Sequence, residues 1–449
     1  MSQASLSELT DMLLSAAKSA GAEQADAIAI DGTAISIDVR QGALEQAERA
    51  EGVEIGLRVL VGQRQACVSA SDISERTISE MAERAVTMAR LAPEDPYIGL
   101  ADPSQLATQW DIDVLELNDP SADPDPAALE QDAREAEQAA LSVAGVAQVS
   151  ASSASYSRQR IQLAASNGFN GGYPRSSRSI STVAISGEGL GMERDYAGES
   201  RIFQADLPSA AEVGRLAGER AVAMAAPRRP KTGAYPVMLD ERISSSLIGH
   251  LLAAINGSSI TRGASWLRDA MGEQVLPAGM SLIEDPLRKR VGRSRPFDAE
   301  GLPAQRRAIV ENGILQSWTL DLATARKLAL QSTGNASRGI SAPPSPGVGN
   351  IAVTAGQKSR DALLADMGTG LLVTSFIGAT INPNTGDYSR GASGFWVENG
   401  QIAYPVNECT IAGNLRDMLK GMVAANDARA HLSQLVPSLL IEGLTLAGE

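Results

Sequence analysis

The dipeptide Asn399-Gly400 lies between two apolar segments, Phe395-Trp396-Val397 and Ile402-Ala403-Tyr404. A two-residue β-hairpin loop needs positive φ at both central residues, and Asn-Gly tolerates this best. Asn312-Gly313 repeats the signal between Ala308-Ile309-Val310 and Ile314-Leu315. The chain from residue 227 onward therefore reads as glycine-rich and strand-rich, with two hairpins. The first hairpin sits inside Asn382–Leu415, which adds a glycine-rich loop and the run TIAGNL, read as a helix start. Ile411, Leu415, Met418, Leu419, Met422 and Val423 then form one apolar stripe, which predicts a core-facing helix.

Upstream, helical and alternating patterns take turns. Ser5-x-x-Glu8 is a capping box ahead of Leu6, Leu9 and Leu13. Alternation at 27–30, 35–39 and 53–59 predicts an antiparallel meander, and 74–91 returns to helical spacing. Residues 1–92 thus read as one helix-and-sheet unit. Between 93 and 126 six prolines and many aspartates mark a linker or long surface connection. A helix over 127–144, strands near 147–155, 159–165 and 178–187, and a helix over 209–226 make a second unit, 127–226. PRRPKTG (227–233) opens the last region, 227–449. The predicted fold class is α+β: two small helix/antiparallel-sheet units followed by a larger β-rich C-terminal domain.

Charge narrows the partners. Lys and Arg number 39 against 53 Asp and Glu, a net charge of −14. That balance argues against nucleic acid or an anionic membrane. No run of about 18 apolar residues predicts a membrane span. MSQASLSELTDML lacks the basic and apolar regions of a secretory leader, so a cytoplasmic location is expected. Cys67 and Cys409 are too few for a disulfide framework and read as free thiols.

Histidine is the scarcest reagent, present only at His250 and His431. A catalytic zinc needs about three protein ligands and an open position for water. His431 reads as a surface or capping residue. His250 ends the amphipathic segment 241–252, which follows a predicted strand, Pro236 to Leu239. Gly391-Ala392-Ser393-Gly394 lacks the spacing of a GxSxG elbow. Gly187-Glu188-Gly189-Leu190-Gly191 is not GxGxxG and does not open a helix. Gly334-Asn335-Ala336, Gly339 and the Pro-rich run 343–349 form a long loop of the kind that serves as a lid or binding loop.

GDYSRGASGFWVENGQIAYPVNECTIAGNL, TGNASRG and the helix bearing His250 together resemble the TldD/PmbA family over nearly the whole chain. That family pairs a zinc-peptidase subunit, TldD, with a partner lacking the zinc motif, PmbA or TldE. In TldD-like chains the equivalent helix carries HExxxH, whose Glu acts as general base on metal-bound water. Matching the motif's end to Gly249-His250 puts Ser245 at the first histidine and Ser246 at the glutamate. A hydroxyl is a poor zinc ligand and no base at neutral pH. The resemblance therefore implies a PmbA-type chain with no catalytic residue and no metal of its own. Zinc is expected on a TldD-like partner in a heterodimer that cleaves unfolded peptides in proteolysis and peptide maturation, with a homodimer possible when the chain is alone. Cys409 precedes TIAGNL, whereas a TldD metal ligand would follow it, so no metal role is carried over. Asp387, Tyr388, Arg390, Ser393, Phe395 and Trp396 are the candidate peptide or interface contacts. The strands at 395–397 and 402–404 are candidates for an edge that holds extended peptide. The alternative is a stand-alone homodimeric peptide-binding protein; a hydrolase using His250 with a serine is a third reading.

Overall fold

Ser5 and Glu8 exchange capping hydrogen bonds at the start of α1 (Leu6–Ala20), in a computed structural model that describes residues 5–449. The chain then enters a six-stranded antiparallel sheet built from β1 (Gln24–Arg40), β2 (Ala43–Val61), β3 (Arg64–Ala70), β4 (Val146–Ala165), β5 (Asn170–Ser186) and β6 (Glu193–Arg201). Its order is β3-β2-β1-β4-β5-β6. The two predicted units are therefore halves of one sheet, joined where β1 pairs with β4 from Asp26↔Ala165 to Val39↔Ser152. What reads as two short strands, 27–30 and 35–39, is a single strand running through Asp31-Gly32. Gly32 is needed there because a Cβ would sit 2.8 Å from the Arg158 carbonyl on β4.

β1 serves two cores with one face. Ala25, Ala27 and Ala29 pack under α1 and α2 (Glu75–Leu91), with Leu9, Leu13, Ile78 and Met81. Ile35, Ile37 and Val39 continue the alternation under a second helix pair. That pair is α4 (Pro126–Leu141) and α5 (Ala210–Ala223), which follow the short α3 (Ile112–Leu115). The opposite face of β1 presents Ile28, which packs with Leu163, Phe169 and Phe297. The proline-rich connection is not a free tether. Trp110 stacks edge-on to Phe297 with centroids 5.0 Å apart, and Leu115 and Leu117 bury against Ile202.

The C-terminal domain is built around a small barrel. β7 (Gly233–Leu239) pairs parallel with strand Gly370–Ile381 and antiparallel with strand Leu439–Ala447. Strands Asp387–Glu398 and Gln401–Asn414 continue the sheet, and Thr410–Ala412 closes it against Thr445–Ala447. Both hairpins form as two-residue turns, with φ of 48° and 84° at Asn312-Gly313 and 52° and 74° at Asn399-Gly400. The predicted stripe helix is shorter than its pattern. Ile411 belongs to strand Gln401–Asn414, Asn414 caps the helix, the helix spans Leu415–Gly421, and Val423 is exposed in a short strand. Cys409 likewise lies within the strand. No helix among the described residues is long and apolar enough to cross a membrane.

Candidate functional site

α6 (Glu241–Ala254) follows β7 directly and is capped by Asp240, whose carboxylate accepts from the Arg242 amide at 3.2 Å. Leu247, Ile248 and Leu251 lock the helix into the barrel core alongside Val237, Leu239 and Val373. This fixes the opposite positions. Ser246 and His250, one helical turn apart, share a face. Ser246 Oγ and His250 Nε2 are both buried without a hydrogen-bond partner. Ser245 is half-buried beside them. Such buried, unsatisfied groups are rare enough in folded proteins to call for a reason.

The barrel strand Asp387–Glu398 supplies the facing wall. Tyr388 is buried and meets the His250 ring at 5.8 Å in an edge-on arrangement. Its phenol is pushed up to about 12 by burial, so it stays neutral. Arg390 stacks 4.2 Å over the Phe376 ring and donates Nε to the Gly378 carbonyl at 2.9 Å. Burial first, and Arg390 second, hold the His250 imidazole below its ordinary value, which keeps it neutral near pH 7. Tyr388, Arg390 and His250 are thus brought together, and Ser246 with them along the helix.

The other predicted contacts disperse. The Asp387 carboxylate accepts from Thr385 Oγ1 at 2.6 Å and from Asn414 Nδ2 at 3.2 Å, so it organises its own loop. Trp396 is buried against Tyr235, with centroids 5.0 Å apart. Phe395, on the other side of the sheet, packs with Leu363, Leu364 and Met367. Ser393 is half-buried. The predicted edge at Phe395–Val397 is not free, because that strand has hydrogen-bonded neighbours on both sides. Residues 370–372 pair with it on one side and 402–405 on the other. Only Gln401–Tyr404 keeps an open side, with Ile402 exposed.

His431 lies elsewhere, with Nε2 3.2 Å from Glu199 Oε2 on β6. Among the described residues no three of His, Cys, Asp and Glu gather in a metal-binding group. Cys409 Sγ donates to the Ala392 carbonyl at 3.2 Å, and burial raises its thiol to about 11. One neutral imidazole, two serine hydroxyls and a phenol are not a donor set that fits a catalytic zinc.

Sequence reading missed Asp26. Its buried carboxylate binds Arg58 Nε at 2.6 Å and pairs with Arg338, tying β1 and β2 to the long C-terminal loop. Burial alone would raise this carboxyl, but the two guanidinia outweigh it and hold it below the usual range. Only the TGNASRG motif hinted that Arg338 had a role.

Family models of the PmbA/TldA metallopeptidases match domain 1 at residues 25–89, the central domain at 119–225 and the C-terminal domain at 232–448. The "Metalloprotease PmbA" of Escherichia coli O157:H7 is 36% identical over 442 residues, 98% of this chain and 95% of its own length. A crystal structure from Bacteroides thetaiotaomicron, described as a candidate modulator of DNA gyrase, superposes with a TM-score of 0.91 at 27% identity and 98% coverage of both chains. TldE from Thermococcus kodakarensis shares the fold, with a TM-score of 0.86 at 18% identity over 98% of this chain and all of its own. The chain belongs to the PmbA/TldD metallopeptidase family.

Proposed function

We propose that this chain is the PmbA/TldE-type subunit of a two-chain metallopeptidase and that the catalytic zinc belongs to a TldD-like partner. The observation that supports this is the α6 face, where Ser245 and Ser246 stand at the positions the family resemblance gives to a ligand and a general base, and the half-buried His250 has an unpartnered Nε2 and a lowered pKa. A Ser246 hydroxyl beside a histidine invites a nucleophile reading, but the two make no hydrogen bond, and no carboxylate orients the ring. Family membership and the likeness to TldE support the same assignment.

The chain's own work is then to bind and to position. Tyr388 and Arg390 share the face of the barrel strand that meets His250 and present a polar wall there. The open side of Gln401–Tyr404 offers backbone groups to an extended peptide, which gives affinity without dependence on sequence. A soluble heterodimer acting on unfolded peptides in the cytoplasm follows from this reading.

The test is hydrolysis of an unstructured peptide by this chain, by a TldD-like chain, and by their mixture. Cleavage by the mixture alone, abolished by a zinc chelator, is the expected result. Cleavage by this chain alone would overturn the assignment. Peptide binding by this chain that a partner leaves unchanged would favour the stand-alone binding protein.

A further inference from the structure

A cavity of about 440 Å³ opens between the six-stranded sheet and the C-terminal domain. Ile28 of β1 with Ile161 and Leu163 of β4 make its floor apolar. Tyr173 and Phe297 add an aromatic wall, their centroids 5.5 Å apart. Arginines 175, 293, 295 and 338 line the same space against one carboxylate, Asp298. That carboxylate is already occupied, accepting the amides of Glu300, Leu302 and Ala336 at 2.9, 3.0 and 2.9 Å.

The arginines are incompletely satisfied. Arg295 is anchored by the Ala336 and Gly347 carbonyls at 3.3 and 3.2 Å, yet its Nε is buried without a partner. Arg338 has a fully buried side chain paired with Asp26, and its Nη2 also lacks a partner. Arg175, Arg293 and Arg295 have no carboxylate at ion-pair distance among the described residues. Four guanidinium groups facing one already occupied carboxylate leave an excess of positive charge that an arriving anion would balance. The anion that suits this cavity must also cover an apolar floor. Inorganic phosphate would meet the arginines and leave the isoleucines wet; a carboxylate on an apolar body meets both.

We propose that this cavity binds a carboxylate carried on an apolar group: the free C-terminus of a peptide with a hydrophobic last residue, or a small apolar acid. The long glycine- and proline-rich loop at 334–349 is then the wall that supplies Arg338 and Val348. Its position is fixed by Gly56 of β2, where any Cβ would collide with the Ile340 carbonyl. Only the first of the two sources rests on the peptide reading above.

Calorimetric titration of the full chain without a partner tests the proposal. The ligands are a short peptide ending in Leu with a free carboxylate, the same peptide amidated, N-acetyl-leucine, and inorganic phosphate. Amidation should weaken binding roughly tenfold or more, the loss of a charge-assisted bidentate contact. Arg293→Gln and Arg175→Gln should each weaken the free acid and leave the amide and the melting temperature unchanged. Binding of N-acetyl-leucine without binding of the peptide supports the cavity and assigns the small acid as its source. Equal binding of acid and amide, phosphate binding as tightly as the peptide, or no binding at all overturns the proposal. The readout is binding by one chain, so its failure leaves the hydrolysis test of the two-chain peptidase standing, and the reverse also holds.

Discussion

His250 and His431 make the protein's pH response readable residue by residue. Burial is the largest cause lowering each, followed by Arg390 for His250 and by Arg201 for His431. Unfolded, both titrate near the ordinary 6.5. A depressed folded pKa means the unfolded chain takes up protons first. Stability is therefore full above pH 6.5 and falls as pH drops through the folded values. The urea midpoint should be lower at pH 5.5 than at pH 7.5, and His250→Gln should reduce that difference; an unchanged difference would remove His250 from the account. The serines at 245 and 246 and the two histidines were legible in the sequence because they are single-residue chemistry. The Asp26 triad was not, since 312 residues separate Asp26 from Arg338. No local pattern marks an aspartate as buried between two arginines.

Among the elements, the pair α4 and α5 depends on glycine more than on large side chains. A Cβ on Gly214 would collide with the Ala136 carbonyl, Gly218 sits close against the Ala140 carbonyl, and Ala133, Ala136, Ala140, Ala217 and Ala221 are buried around them. Gly214→Val should force the helices apart and destabilise the protein by about 1–3 kcal/mol or more. Chemical denaturation measures this, with Gly249→Ala on α6 as a control where a Cβ meets nothing. Helix existence was clear from spacing and caps, as with Ser5 and Glu8. The helix after strand Gln401–Asn414 was over-read because Ile411 is buried from a strand yet falls four residues before Leu415. Periodicity reports burial, and burial alone does not tell a strand end from a helix start.

For the whole molecule, the critical contacts cross the connector at 227–232. Arg242 of α6 meets Asp195 of β6 at 3.1 Å with both side chains largely buried. Arg429 joins Glu199 of β6 to Glu241 of α6 at 2.9 Å each. Arg242→Ala takes away the ion-pair partner of Asp195 and leaves it the Tyr196 amide at 2.7 Å, and breaking a buried pair costs up to about 3–5 kcal/mol. The junction should open locally, so trypsin should cut after Arg228 or Lys231 several-fold faster than in the parent, at roughly the same melting temperature for the barrel. Equal cutting rates would show that the sheet-to-barrel junction is held by other contacts.

By itself the sequence determined the two Asn-Gly hairpins, the capped helices, the α+β class and the scarcity of histidine. Each is set within a few residues by turn geometry, hydrogen-bond capping or side-chain chemistry. Only the tertiary structure decided that two apparent units share one sheet, that the C-terminal strands close into a barrel through Thr410–Ala412 and Thr445–Ala447, and that four arginines gather over an apolar floor. Those features arise from pairings across large sequence separations, where the favourable contact appears only after the chain has been brought together.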